Sequence, residues 1–194
     1  MGTMDLSKDV YYREKLAKLS CTAEKLQAKV FEECEFNNCT FTDCRFESCK
    51  FLNCKFNECN LSAIVPVNCQ FIDVEFSKCK VIGVDWTKAQ KIQGLSLLDC
   101  QLNYSSFKLL KLPKIKMVKC EAKESDFIET DLSEGDFRKT DFEKSTFFKT
   151  NLTNADFTGA INYFIDTKTN VLKKTRFSLP EALSLLDSLD IIIE

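Results

Sequence analysis

The 194-residue sequence contains no histidine, only five glycines and only three prolines. Without histidine it lacks the side chain that most often works as a general base or metal ligand near neutral pH. That removes the common histidine-based zinc and nucleophile–base sites. So few glycines and prolines argue against a loop-rich or disordered chain. No apolar run approaches the ~18 residues of a membrane helix, and neither end shows the basic, apolar, small-residue order of a signal segment. The expectation is a soluble, cytoplasmic protein with no membrane contact. Neither charge sign dominates: 27 Lys and Arg stand against 29 Asp and Glu. Residues 101–120 hold five Lys (Lys108, Lys111, Lys114, Lys116, Lys119) and no acid, whereas 121–160 hold ten acids against five bases. A surface so divided does not produce one long-range field.

Phenylalanine and cysteine are abundant, with 17 and 11 copies. From Phe31 a large apolar residue returns at every fifth position: Phe31, Phe36, Phe41, Phe46, Phe51, Phe56, Leu61, Pro66, Phe71, Phe76, Val81, Trp86. Leu26 extends the series backward; Leu16 and Cys21 fit it weakly. The series resumes one residue late at Ile92 and continues through Leu97, Leu102, Phe107, Leu112, Met117, Ala122, Phe127, Leu132, Phe137, Phe142, Phe147, Leu152 and Phe157. The slip lies between 86 and 97, with Gly94 nearby. A second column, two residues before each large one, is mostly small: Cys34, Cys39, Cys44, Cys49, Cys54 and Cys59, later Ser, Thr and Ala. The positions between are polar. A period of five suits neither a helix at 3.6 nor a strand at 2.0. It requires a turn in every repeat, and four such sides close a square coil of about 20 residues, stacked at the ~4.8 Å spacing of paired strands.

The units CEFNN, CTFTD, CRFES, CKFLN and CKFNE, and later TDLSE, GDFRK, TDFEK, TNLTN and ADFTG, resemble those of the pentapeptide-repeat proteins, over about Leu26 to Ala160. The resemblance implies an all-β solenoid, a right-handed quadrilateral β-helix. In length, in the slip with a nearby glycine and in its C-terminal segment the chain is similar to the quinolone-resistance members. Those are rods of duplex width that bind DNA gyrase and topoisomerase IV as DNA mimics.

The cysteines at five-residue spacing point to successive sides, which suits small buried core residues better than a metal site or disulfides. No cofactor is expected. Residues 1–20 are expected to form an N-terminal cap, as helix or strand, on a β-helix over 21–160. Residues 161–194 should hold a connecting segment, a helix and a strand. In FSLPEALSLLDSLDIIIE, Ser178 reads as an N-cap, Glu181 as its capping-box partner and Pro180 as a first-turn residue, with an α-helix to about Ser188. Leu179, Leu183, Leu186 and Leu189, with Ile191, Ile192 and Ile193 of a strand at Asp190–Glu194, form an apolar surface. It serves either as an intramolecular cap or as a homodimer interface, and the resemblance favours the dimer. Asp126, Asp131, Asp136 and Asp141 read as turn residues that hydrogen-bond locally. The functional expectation is a non-catalytic interaction scaffold. The alternative is a DNA mimic that binds a type II topoisomerase, against which the Lys-rich band and near-neutral charge speak. Direct nucleic-acid binding is not expected.

Overall fold

The structure is a computed structural model and describes residues 6–189 and 191. Three-residue strands follow one another at intervals of five, from Val10–Tyr12, Lys15–Ala17, Ser20–Thr22 and Lys25–Gln27 onward. Each pairs in parallel with the strand one coil later, so Tyr11 lies against Phe31, Leu16 against Phe36, Cys21 against Phe41 and Leu26 against Phe46. The result is a right-handed, four-sided β-solenoid. Its C-terminal half keeps the pairing mostly as single bridges, such as Gln101 with Glu121 and Asp126 with Thr146.

Nearly every side turns through one residue in the left-handed region, the 3-10 turn at Trp86–Lys88 being an exception. Two positions after the large residue φ is positive, for example 55° at Asn38, 52° at Asn53 and 63° at Lys114. Left-handed backbone is costly for any residue with a Cβ and most costly for branched ones. None of the non-glycine residues in that column is Val, Ile or Thr. Their N–H groups donate to the next coil, as Asn38 does to the Asn57 carbonyl at 2.9 Å, which helps hold the strained turn in place.

The apolar column fills the axis. Phe31, Phe36, Phe41, Phe46, Phe51, Phe56, Phe71, Phe76, Phe127, Phe137, Phe142, Phe147 and Phe157 are all buried, with Cys34, Cys39, Cys44, Cys49, Cys54 and Cys59 beside them. Rings one coil apart stack nearly flat: Phe36 on Phe56 at 4.4 Å and 3°, Phe107 on Phe127 at 5.3 Å and 3°. The coil spacing is also a favourable aromatic stacking distance, worth about 0.5–1.5 kcal/mol per pair beyond burial.

Two expectations about boundaries are corrected, and the slip falls where the count of six places it. Residues 1–20 do not form a separate cap, because their described part already contains strands in coil register. The signal was weak there because the slots normally held by Cys carry Glu14, Leu19 and Glu24, and then Lys29 at the start of the second coil. At the other end the coil does not stop at Ala160: Ile161 bridges Asp141, Val171 bridges Asn151 and Arg176 bridges Asp156. The slip itself sits before Gly94. A short 3-10 turn, Trp86–Lys88, is followed by Gln90 and Lys91, whose N–H groups both donate to the Cys69 carbonyl, at 2.8 and 3.3 Å. Two donors sharing one acceptor is a bulge, and it moves the register from 20 to 21, with Phe71 opposite Ile92. Gly94 is needed for another reason. Its φ is 64°, and a Cβ there would collide with the Asp73 carboxylate and lie 3.3 Å from the Asp73 Cα.

Candidate interaction surface

The thiols occupy the interior. All eleven cysteines are free and buried. The slot two residues before each ring demands more than small size. Cys59 Sγ donates to the Phe36 carbonyl of the coil below at 3.4 Å and accepts the Cys39 N–H at 3.3 Å. Cys79 and Cys100 repeat the pattern on the same side. In the C-terminal half hydroxyls take over: Thr140 Oγ1 donates to Met117 O at 2.6 Å and accepts from Cys120 N–H at 3.2 Å, and Ser125 donates to Leu102 O at 3.0 Å. The sequence pattern shows this slot as small. The shared donor–acceptor character of Cys, Ser, Thr and Asn170 was the signal for the hydrogen bonds. Burial pushes the Cys54 thiol up to about 12. The neighbouring thiol of the next coil, together with burial, brings Cys79 and Cys100 to about 12 as well. These are neutral thiols, unlike the exposed thiolates that carry cysteine chemistry. Among the described residues, no cluster of Cys, Asp and Glu could hold a metal ion.

The acidic residues on the outside are held in the turns. Asp126, Asp131, Asp136 and Asp141 lie on four successive sides, and each accepts the N–H two residues on: Ile128 at 2.9 Å, Ser133 at 3.1 Å, Arg138 at 3.3 Å and Glu143 at 3.1 Å. Arg138 also binds Asp136 through its guanidinium, 2.7–2.8 Å, which lowers the Asp136 pKa. Opposite charges also meet coil to coil, as in Arg13–Glu33 at 2.6 Å, Lys15–Glu35 at 3.3 Å and Lys123–Glu143 at 2.9 Å. The Lys-rich band is divided. Lys108 pairs with Asp126 and Lys114 with Glu134, whereas Lys111, Lys116 and Lys119 make no ion pair among the described residues. Lys119 lines a 350 Å³ cleft with Lys78, Lys80, Asp99, Gln101 and Glu121. Apolar side chains also stand outside: Tyr104, Leu109, Phe148 and Phe164 are exposed. Their mark in the sequence is an apolar residue at an outward repeat position.

The expected C-terminal helix is Glu181–Leu189, wound as a 3-10 helix. Leu183 N–H donates to Pro180 O, and Ser184 and Ser188 hydroxyls donate to carbonyls three residues back, Glu181 and Leu185. The expected capping box does not form. Ser178 Oγ instead accepts the Gly159 N–H at 2.8 Å, and Glu181 accepts the Asn162 N–H at 2.6 Å. Ser188 likewise meets Thr167 at 2.9 Å. The polar side of the helix thus satisfies open donors of the last coil. Leu185 packs on the core and Leu186 is half-buried, while Leu179 is 75% and Leu183 52% exposed, with Leu189 and Ile191 exposed too. Ile192 and Ile193, and so most of the expected strand, lie outside the described residues.

A right-handed square solenoid with one ring, one small hydrogen-bonding slot and one left-handed turn per five residues defines a five-residue-repeat β-helix protein. Family models agree: residues 29–107 match a pentapeptide repeat region and 125–161 match pentapeptide repeats in eight copies. The chain belongs to the pentapeptide-repeat family. No curated protein sequence matches it. Among solved structures, it is similar to QnrB1, a plasmid-mediated fluoroquinolone resistance protein. A trypsin-treated variant aligns at TM-score 0.74 and 18% identity, covering 95% of this chain and 98% of that one. A second trypsin-treated variant aligns at 0.67 and 18%, covering 93% and 100%. Full-length QnrB1 aligns at 0.62 and 20%, covering 94% and 100%. At such identity the likeness is one of fold. Among the described residues, no helix is long and apolar enough to cross a membrane.

Proposed function

We propose that this protein is a non-catalytic scaffold that binds a protein partner through its outer faces. One observation carries the reading: every buried thiol and hydroxyl of the repeat is committed to the core or to backbone hydrogen bonds, which leaves recognition to the outward positions. The same reading includes an end-to-end homodimer through Leu179, Leu183, Leu189 and Ile191, supported by their exposure on and beside a helix whose polar side already caps the solenoid.

A type II topoisomerase is the partner class to test first. Support comes from the alignment with QnrB1 over nearly the whole of both chains. Mimicry of a phosphate backbone is not the mode of binding in this reading, because the turn aspartates are used locally and unpaired lysines stand among them. The test is a gyrase supercoiling assay with and without a fluoroquinolone. Protection or inhibition at micromolar protein is expected. Neither effect would remove the topoisomerase and leave a scaffold with another partner.

A further inference from the structure

The bulge after Trp86 has opened one face of the rod. On the side that carries Tyr11, Phe31, Phe51, Phe71 and Ile92, the parallel ladder ends at Lys91–Gln93. The next residue on that side, Lys111, bridges onward to Asp131. Among the described residues, no backbone hydrogen bond joins Gln90–Gly94 to Lys111–Pro113. The flanking sides stay paired across the same two coils: Ser96–Leu98 with Lys116–Val118, and Asp85 with Ser106. The opening is a 260 Å³ pocket, just below the ~300–1,000 Å³ of drug-sized sites.

The chemistry of this pocket is uneven. In a regular rung, the large residue and the residue two further on donate N–H groups to the following coil, as Leu112 and Lys114 do to Asp131 and Ser133. The residue before the large one donates back, as Asp131 does to Leu110. By that polarity Ile92 and Gly94 aim unpaired N–H groups into the gap from below and Lys111 aims one from above. These donors, on half-buried Ile92 and exposed Gly94 and Lys111, take a partner from solvent or from a ligand. The walls are aliphatic: Leu95, Leu112, Ile115 and Pro113. Lys91 and Lys111 are exposed beside it, and neither has an ion pair among the described residues. Of the nearby acids, Asp131 accepts from Ser133 and Asn151 and Glu134 holds Lys114, while the Asp73 carboxylate lies against Gly94 from the coil below and does not line the pocket.

An added peptide strand does not fit. It would need two ~4.8 Å spacings where the paired flanking sides allow one. The geometry points to a binding site for a small apolar carboxylate, its hydrocarbon against Leu95, Leu112 and Ile115 and its carboxylate on the free N–H groups and the Lys111 ammonium.

The test is a ¹H–¹⁵N NMR titration of the full chain with sodium hexanoate, and with sodium acetate and hexan-1-ol as separate arms. Hexanoate should shift amides at 91–95 and at 111, 112, 114 and 115, with a Kd on the order of 1 mM. Acetate and hexanol should each bind more weakly. Lys111→Ala, at an exposed position, should weaken hexanoate roughly three- to fivefold and leave hexanol unchanged. Shifts scattered over many lysines with acetate equal to hexanoate, or no localised shifts at millimolar ligand, would overturn the proposal in favour of a water-filled gap. Hexanoate affinity unchanged in both Lys111→Ala and Lys91→Ala would overturn the carboxylate assignment.

Discussion

Thiol and hydroxyl take the same two hydrogen bonds at the slot before each ring, yet they respond differently to perturbation. Thr140 joins the Met117 carbonyl to the Cys120 N–H. Thr140→Val keeps its shape and strands both groups, so it should cost about 1–3 kcal/mol and lower Tm by a few degrees in calorimetry. An unchanged Tm would mean that the slot needs only volume. For the cysteines the handle is pH. Cys54, Cys79 and Cys100 are held near 12 in the fold, against about 8.5 in an unfolded chain. A raised folded pKa contributes stability that is complete below ~8.5 and is lost as pH rises toward 12, because only the unfolded chain then ionises. The urea midpoint should therefore fall between pH 8 and 10. The slope should flatten when these three cysteines are replaced by serine.

At the scale of the coil, the five-residue period made the core legible. Inward position follows from the turn geometry alone, so the rings and the cysteines could be placed without knowing any contact. The ends were less legible for a physical reason. Ser178 and Glu181 have the side chains of a capping box, but such acceptors serve any open N–H group, and the last coil offered Gly159 and Asn162. The first coil was hidden by charges at Glu14 and Glu24. Charges at inward slots discourage edge-to-edge stacking, a recurrent protection for exposed strand edges. The slip was visible as a count of six between Trp86 and Ile92, whereas the broken ladder above it was not, because pairing between coils leaves no mark in the period. The outward leucines carry the prediction at this scale. Light scattering should give a dimer for the native chain and a monomer for Leu179→Ser/Leu183→Ser/Leu189→Ser. A dimer that survives those changes, or a native monomer, would contradict the end-to-end interface.

The whole molecule is a stiff rod with its chemistry-bearing groups used inside and a mixed surface outside. That surface explains why function was the least legible property: a repeat fixes where side chains point but leaves the outward ones free to vary. The candidate features there, the lysines around Lys119, the exposed Phe148 and Phe164 and the apolar helix end, depend on which coils meet in space. The charge pattern still separates two modes of binding. A phosphate-mimicking rod would lose affinity for a DNA-binding enzyme steeply with salt, by analogy with the ~10³–10⁵-fold losses of protein–DNA complexes between 50 and 200 mM. A scaffold with locally paired charges would lose little. The most direct measurement is the Kd of this protein for DNA gyrase by calorimetry at those two salt concentrations. Binding at micromolar Kd or tighter, changing less than about tenfold between them, is the predicted result. A loss of a thousandfold would replace the scaffold with a DNA mimic, and no binding at either salt would contradict the topoisomerase partnership.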